Sequence, residues 1–391
     1  MAERAYLDWN ATAPLRPEAA DALRAALAPT GNPSSVHAEG RAARHAVEQA
    51  REDVAALVGA RPADVIFTSG GTEANMLALT PSIETGSEKK PRGKLLMSAI
   101  EHSSVRAGAR FARSAIADIP VTADGRVDLA VLAEAVATCE RPLVSLMLAN
   151  NETGVIQPVT EAAAIVNAAA GLLHVDAVQA AGRIAVDIGA LGADLLTLSA
   201  HKIGGPKGVG VLVRGREDIH FPEPLIRGGG QERGLRAGTE NVPGIAAFGA
   251  AARAARALLA AEAAHMLALR HRLEAGLRAV TPDVVIFGAG AERLPNTTLF
   301  ALAGIKAETA IIAFDLEGVA VSSGAACSSG KVQPSHVLAA MGVSPELTRA
   351  AVRVSVGRTS TESEVERFLN AWRKVAGALF KGSKERPGIA A

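Results

Sequence analysis

The sequence predicts an α/β protein in which a large domain with a mostly parallel sheet is followed by a smaller α+β domain. Apolar runs alternate with helical patterns up to residue 213, as in α/β folds. The runs occupy residues 65–68, 94–98, 143–148, 172–176, 195–199 and 209–213. An alanine-rich helical pattern at about 243–280 then leads to short strand patterns at 284–287, 297–300 and 319–321. This change of pattern marks the second domain.

Polar residues recur directly after the apolar runs. They include the segment 69–73, the pair Glu101 and His102, the pair Asn150 and Asn151, Asp176, and the segment 199–202. Open α/β sheets bind their ligands outside the carboxyl ends of the strands. We therefore expect a functional site at this edge of the sheet.

Four segments are expected along the chain. Residues 1–14 would pack near the active site and the small domain, and residues 15–255 would form the large domain. Residues 256–380 would form the small C-terminal domain, which carries Cys327. A last helix is predicted at 361–379, and the polar, Gly- and Pro-containing residues 381–391 predict a disordered tail.

Charge and hydropathy exclude several classes of partner. Lys and Arg number 41 against 40 Asp and Glu, so a nucleic acid is not expected as the main partner. The most apolar stretch, 245–269, is interrupted by Arg253, Arg256 and Glu262, which argues against a membrane span. The N-terminus lacks the basic and apolar segments of a secretory signal, so we expect a cytoplasmic protein.

The two cysteines lie in different contexts. A chain of 391 residues with two cysteines has no disulfide framework, so both are expected as free thiols. Cys139 lies at the end of a predicted helix. Cys327 lies in a segment of Ser, Gly and Ala, which is typical of an exposed loop rather than a core.

Asp176 and Lys202 each follow an apolar strand, and together they predict a pyridoxal phosphate (PLP) site. Alone, Asp176 is equally compatible with helix capping or an ion pair. A lysine in a partly desolvated site can form a Schiff base, and PLP enzymes pair such a lysine with an acid on the pyridinium nitrogen. Asp176 and Lys202 fit these two roles.

The strand-turn-helix segment 68–74 offers a cradle for the cofactor phosphate. Its glycine turn, with Gly71 and Thr72, would direct free N–H groups towards an anion, and Ser199 and His201 would add donors. His102 is flat enough to stack on a pyridine ring and can move protons near neutral pH, so that it is a candidate catalytic residue beside Lys202, although a hydrogen-bonded loop histidine is the alternative. No paired ligand spacing among the histidines predicts a metal site.

The ordered motifs together resemble the cysteine desulfurases of the nitrogen-fixation and iron–sulfur-assembly type. These are class V aminotransferase-like PLP enzymes of fold type I. The motifs are Tyr-Leu-Asp-Trp-Asn-Ala from residue 6, Gly-Asn-Pro-Ser-Ser-Val-His from 31, Thr-Ser-Gly-Gly-Thr-Glu-Ala-Asn from 68, Asn-Asn-Glu-Thr-Gly-Val from 150, and His-Val-Asp-Ala-Val-Gln from 174. They continue with Ser-Ala-His-Lys from 199, the glycine-rich segment 228–241, Ser-Ser-Gly-Ala-Ala-Cys-Ser from 322, and Val-Arg-Val-Ser-Val-Gly-Arg from 352.

The resemblance implies a role for each matching residue. Lys202 would hold PLP, Asp176 would contact the pyridine nitrogen, His102 would stack on the ring and Gln179 would meet the phenolic oxygen. Phosphate contacts would come from Gly71, Thr72, Ser199 and His201, and from Thr239 of the second subunit of a homodimer. Asn151 and Arg353 would hold the substrate carboxylate with help from Asn10, and Arg358 is the competitor of Arg353.

The implied reaction is the conversion of L-cysteine to L-alanine, with the sulfur transferred to Cys327 as a persulfide. The persulfide would then pass to an acceptor protein such as an iron–sulfur scaffold. A selenocysteine lyase or another class V enzyme is the alternative within enzymology, and a non-catalytic sulfur-relay partner is the alternative outside it. An aminotransferase would not need Cys327.

Overall fold

The computed structural model describes residues 4–86, 89–323 and 334–384 of the chain. The strands are β1 (Ala5–Tyr6), β2 (Val65–Thr68), β3 (Glu84–Thr85), β4 (Leu95–Ser98), β5 (Ile116–Ile119), β6 (Leu143–Met147), β7 (Leu172–Asp176), β8 (Leu195–Ser199), β9 (Gly210–Arg214), β10 (Ile219–His220), β11 (Val285–Ile286), β12 (Thr297–Ala301), β13 (Val319–Ala320), β14 (Ser322–Ser323) and β15 (Val352–Ser355).

The α-helices alternate with these strands. They are α1 (Pro17–Leu27), α2 (Ala38–Leu57), α3 (Gly71–Ala78), α4 (Ser103–Arg106), α5 (Leu129–Ala137), α6 (Val159–Ala168), α7 (Ile188–Leu191), α8 (Val242–Val280), α9 (Ala307–Leu316), α10 (His336–Ala340), α11 (Pro345–Ala350) and α12 (Glu362–Lys384).

The large sheet has the strand order β2-β9-β8-β7-β6-β4-β5. Strands β4 to β8 pair in parallel, whereas β9 is antiparallel to both of its neighbours. The predicted α/β class with a mostly parallel sheet is confirmed. The edge strand β5 was not predicted, because Ala117 and Asp118 are exposed and leave no apolar run in Ile116–Ile119.

The smaller domain is built on the sheet β11-β12-β15-β14, whose pairings are all antiparallel. Its core contains the packed rings of Phe300, Phe314, Phe368 and Trp372. The N-terminal strand β1 pairs with β13, and Ala5 of this strand and Leu7 directly after it belong to the same core. The N-terminal segment is thereby fixed against the small domain before it reaches the large one.

Helix α8 connects the two cores. Its first part, up to Ala255, packs into the core of the large sheet, and its second part, from Met266 to Leu277, packs into the core of the small domain. The predicted domain boundary after residue 255 thus falls inside a continuous helix. By length and composition α8 is apolar enough to cross a membrane, but half of its most apolar window is buried inside the protein. The apolar character serves packing between helices.

Helix α12 continues through Lys384, so residues 381–384 are helical where the sequence predicted the start of a disordered tail. Gly382 disfavours a helix by only about 1 kcal/mol relative to alanine, and the first strong helix breaker is Pro387. The rest of the predicted tail, from residue 385, lies outside the described residues.

Candidate active site

A cavity of about 220 Å³ opens where strands β7 and β8 end. Its walls include the predicted site residues Gly71, Thr72, His102, Asn151, Asp176, Gln179, Ser199, His201 and Lys202. Asn75, Ser104, Met147, Ala149 and Val178 complete the lining. Since these residues come from segments far apart in sequence, the carboxyl edge of the sheet brings them together as expected for an open α/β fold.

Asp176 is the last residue of β7, and its carboxylate is almost fully buried. One oxygen accepts a hydrogen bond of 2.9 Å from Nδ2 of Asn75, and the other accepts one of 3.0 Å from the backbone N–H of Val178. Two N–H donors therefore fix the carboxylate at the cavity wall. Asn75 was not predicted as a site residue, although it closes the motif that begins at residue 68.

Lys202 follows β8 in a short 3-10 turn, Ala200–Lys202. Its ammonium group donates hydrogen bonds to the backbone carbonyls of Asn10 and Ala11, the latter at 2.9 Å. These two carbonyls belong to the N-terminal segment. That segment therefore holds the lysine side chain in the cavity, in the region where residues 1–14 were predicted to pack.

The N-terminus of α3 forms one end of the cavity. The N-cap residue Gly70 supplies no side chain to cap the first N–H groups of the helix. At Gly71 a Cβ atom would lie 3.2 Å from Cγ2 of Val178 and 3.5 Å from Cβ of Ser199, so glycine permits close packing here. The first N–H groups of such a helix favour an anion. This end of the cavity fits the phosphate.

His201 lies beside this helix end and contributes a neutral imidazole. Burial lowers its pKa to about 4, and the positive charges of Lys202 and Lys207 act in the same direction. Its Nδ1 atom lies 3.1 Å from the hydroxyl of Thr12. The ring is therefore uncharged near neutral pH and can contact a phosphate only as a hydrogen-bonding group.

His102 is the N-cap residue of α4, with a half-buried side chain. Its Nδ1 atom lies 2.8 Å from the hydroxyl of Ser104 and accepts a hydrogen bond of 3.2 Å from the backbone N–H of the same residue. The loop-histidine alternative and the ring-stacking role are compatible, because the hydrogen bonds hold the ring in the cavity wall.

A second buried carboxyl group, Glu101, precedes His102. Burial raises its pKa well above the usual range, and the negative charge of Asp176 raises it further. One oxygen accepts a hydrogen bond of 2.6 Å from the backbone N–H of Met147. Both effects favour the uncharged form of Glu101, because burial and a neighbouring carboxylate each disfavour a second negative charge here.

Gln179 is oriented from both ends of its amide. Its Nε2 atom donates to the carbonyl of Asn10 at 3.0 Å, and its Oε1 atom accepts from Arg183 at 2.9 Å. Burial lowers the pKa of Arg183 to about 10, with a smaller effect from the charge of Arg353. Arg183, which sequence reasoning missed, therefore determines which way the Gln179 amide points.

The two candidate arginines for a substrate carboxylate lie in different surroundings. Arg353, on β15, donates to the carbonyl of Asn151 at 3.0 Å and to Asp8 at 2.8 Å. Arg358 lies over the ring of Trp9, with 5.6 Å between the guanidinium carbon and the ring centroid, and lines a smaller cavity of about 30 Å³. Only Arg353 contacts a residue of the main cavity through these hydrogen bonds.

The side chain of Asn10 lies behind that wall. It donates to the carbonyl of Asn151 at 3.1 Å and to the hydroxyl of Thr297 at 2.9 Å. Asn10 therefore supports the loop of Asn151 and, through its own carbonyl, Lys202 and Gln179.

Thr239 is exposed and is not part of the cavity lining of its own chain. Its segment is anchored by Glu232, which accepts two hydrogen bonds from Arg51, at 2.7 and 2.8 Å, and one of 2.9 Å from the backbone N–H of Phe67. This ion pair is buried, since both side chains are at most 4% exposed. The anchor fixes the beginning of the segment that carries Thr239.

The predicted sulfur-accepting residue Cys327 lies outside the described residues. The neighbouring described segments contact the site region: Ser322 pairs with Arg353 in the small sheet, and His336 donates from Nε2 to the carbonyl of Glu101 at 2.9 Å. Cys139 is a half-buried free thiol packed against the large core. Within the described ranges no group of three or more His, Cys, Asp or Glu residues has the arrangement of a metal site.

Comparisons with known proteins agree with this geometry. The aminotransferase class-V family model matches residues 5–368. A cysteine desulfurase of Cereibacter sphaeroides is 42% identical over 383 residues, which cover 96% of this chain and 97% of that protein. The cysteine desulfurase IscS of Dictyoglomus turgidum is 40% identical, with 97% of this chain and 96% of that protein covered.

Solved structures give the same result. A NifS-like protein from Rickettsia africae has a TM-score of 0.87 at 35% identity, covering 96% of this chain and all of that one. The structure of SspA in complex with cysteine has a TM-score of 0.75 at 27% identity, covering 91% of this chain and all of that one. The fold of this chain therefore recurs in these proteins.

Proposed function

Since this chain belongs to the class-V aminotransferase family and is a cysteine desulfurase, we propose that it transfers the sulfur of L-cysteine to Cys327 and releases L-alanine. One observation carries the proposal: a buried acid, a lysine and an open helix N-terminus line one cavity at the edge of the sheet. The cofactor that fits this set is pyridoxal 5′-phosphate. When bound, PLP supplies an electron sink for the substrate carbon.

The donor set supports a role for each residue towards one part of PLP. Lys202 would hold it covalently, Asp176 would keep a proton on the pyridine nitrogen, His102 would cover the ring and Gln179 would donate to the phenolic oxygen. The phosphate would be held by Gly71, Thr72, Ser199 and His201, and by the partner subunit's Thr239. Asp176 suits its role because its two N–H contacts hold it in place at the cavity wall.

The substrate carboxylate would bind Arg353 and Asn151. A guanidinium group can hold a carboxylate through parallel hydrogen bonds, and Nε of Arg353 is buried with no hydrogen-bond acceptor among the described residues. Nη1 of Arg358 is also buried with no hydrogen-bond acceptor among the described residues. The feature that favours Arg353 is therefore its hydrogen bond to the carbonyl of Asn151, which lines the main cavity. Asn10 would support this end of the site by holding the Asn151 loop.

The chemical steps fall to two side chains. Lys202 would take the proton from the substrate Cα. The thiolate of Cys327 would then attack the substrate sulfur, so that an S–S bond forms while the Cβ–S bond breaks and leaves its electron pair on Cβ. Cβ would take up a proton to become the methyl group of alanine, and Lys202 would return a proton to Cα. The persulfide on Cys327 would pass to an acceptor protein. The named IscS relatives support an iron–sulfur scaffold as this acceptor.

The proposed assembly is a cytoplasmic homodimer. The exposed Thr239 on an anchored segment supports a site that is completed by a second copy of the chain. The balanced charge supports neither a nucleic-acid partner nor one at a membrane surface, and the partly buried α8 is accounted for by packing inside the protein.

The test compares two lysine variants and two cysteine variants. Lys202→Ala should lose PLP attachment and turnover, whereas the exposed Lys207→Ala should keep both. Cys327→Ala should still bind PLP but lose the protein-bound sulfur and nearly all alanine formation, and Cys139→Ala should resemble the parent. The measurements are mass spectrometry of the reduced PLP adduct, protein-bound sulfur and alanine.

Two outcomes would contradict the proposal. A reduced PLP adduct on Lys207 would show that the cofactor lysine is misassigned. Normal alanine release from L-cysteine by Cys327→Ala would rule out the persulfide step, and the same result with L-selenocysteine alone would favour a selenocysteine lyase.

A further inference from the structure

A chain of buried hydrogen bonds connects His102 with Asp176. Nδ2 of Asn75 lies 2.9 Å from an oxygen of Asp176 and 2.9 Å from the hydroxyl of Ser104. The Ser104 hydroxyl in turn lies 2.8 Å from Nδ1 of His102. Asn75 is 1% exposed and Ser104 is 9% exposed, so water has little access to the two linking groups.

The direction of each hydrogen bond follows from what each group is able to donate. A carboxylate accepts only, so the NH₂ group of Asn75 must face Asp176. The amide oxygen of Asn75 then accepts a hydrogen bond of 2.7 Å from the hydroxyl of Thr197, which fixes the amide from its other side. Both N–H groups of Asn75 are committed, one to Asp176 and one to Ser104.

Ser104 determines which nitrogen of His102 accepts a hydrogen bond. Its hydroxyl oxygen accepts from Asn75, and the proton of that hydroxyl is directed at Nδ1 of His102. The backbone N–H of Ser104, which can only donate, points at the same Nδ1 at 3.2 Å. Nδ1 is therefore an acceptor of two hydrogen bonds, and a neutral imidazole in this position carries its proton on Nε2.

We propose that Ser104 and Asn75 are positioning residues that hold His102 as the neutral Nε2–H tautomer and couple its ring to Asp176. The inference rests on the proposed function in that it gives His102 a fixed role in the PLP site. Moving a proton onto Nδ1 would set it against the backbone N–H of Ser104, lose that hydrogen bond, and require the Ser104 hydroxyl to turn its own proton away. His102 then serves as an oriented hydrogen-bond donor, and proton transfer at the substrate Cα falls to Lys202.

The test reads the tautomer directly. Protein labelled with ¹⁵N only at histidine is studied by ¹⁵N NMR at neutral pH, both loaded with PLP and stripped of it, and the His102 signals are assigned by difference against His102→Gln. We expect Nε2 to be protonated and Nδ1 bare in the parent. In Ser104→Ala the His102 signals should shift towards a mixture of the two tautomers.

The kinetic readout separates positioning from folding. Loss of one hydrogen bond of about 1 kcal/mol predicts that Ser104→Ala lowers kcat roughly fivefold to tenfold, with KM changed less than about twofold. Ser104→Thr keeps the hydroxyl and should restore both the tautomer and kcat. The matched control is Ser103→Ala, because Ser103 is exposed on the same helix turn and should leave both unchanged.

The outcomes distinguish this inference from the proposed function. A proton on Nδ1 of His102 in the parent, or identical His102 spectra for the parent and Ser104→Ala, would overturn the inference while PLP still binds Lys202. Failure of Lys202 to bind PLP would instead overturn the proposed function, and the tautomer of the stripped protein would still be decided by the same spectra.

Discussion

Replacing Arg353 by methionine should weaken L-cysteine binding strongly, because the substrate carboxylate would lose its cationic partner. The side chain is 3% exposed and already donates to Asn151 and Asp8, so the guanidinium is held in place before substrate arrives. A hydrogen bond to a charged group contributes about 1.5–3 kcal/mol, so two of them predict a loss of roughly 150- to 25,000-fold in kcat/KM. Most of the loss should appear in KM, since the carboxylate is bound throughout the reaction.

The assay is steady-state alanine formation over a range of L-cysteine concentrations. Arg353→Met also leaves Asp8 without its partner, so the double variant Asp8→Asn with Arg353→Met serves as the charge-balanced control and should show the same rise in KM. Arg358→Met should change kcat/KM by less than about tenfold, because its contact with Trp9 contributes about 0.5–1 kcal/mol. A larger loss in Arg358→Met than in Arg353→Met would refute the reasoning.

Two further predictions concern buried groups. Glu232→Gln breaks the buried ion pair with Arg51, so it should destabilise the 228–241 segment by about 3–5 kcal/mol and weaken PLP binding. Glu223→Gln, in a more exposed pair with Arg110, is the control and should change neither quantity in thermal-shift and PLP-titration measurements. Equal behaviour of the two variants would contradict the anchor role of Glu232. Burial lowers the pKa of His174 to about 4, so the folded state binds fewer protons than the unfolded chain and should lose roughly 2–3 kcal/mol of stability as the pH falls from 6.5 towards 4. His174→Gln should flatten the melting temperature over that pH range, and an unchanged slope would show that His174 does not titrate there.

The sequence predicted the fold class and the part of the sheet that carries the site. Both depend on patterns within a few residues: apolar runs of strand length, and polar residues directly after them. Asp176 and Lys202 were identified in this way, since each lies at or just beyond the end of a buried strand. Strand β5 was missed by the same reasoning because its two central residues, Ala117 and Asp118, are exposed and interrupt the apolar run.

The linking residues of the site could not be found by such patterns. Asn75 acts through Asp176 and Thr197, which are 101 and 122 residues away, and Arg183 acts through the orientation of one amide. Whether a hydrogen bond forms depends on differences of a few tenths of an ångström in the donor–acceptor distance and on the direction in which each donor points. No spacing along the chain encodes that information.

The sequence by itself thus determined the class of fold, the order of the motifs and the residue types at the strand ends. The tertiary structure alone decided that Arg353 contacts Asn151 while Arg358 lies on Trp9, and that Asn75 and Ser104 connect Asp176 with His102. The physical reason is that secondary structure follows from neighbours a few residues apart, whereas the partner of a polar side chain depends on how distant segments pack together.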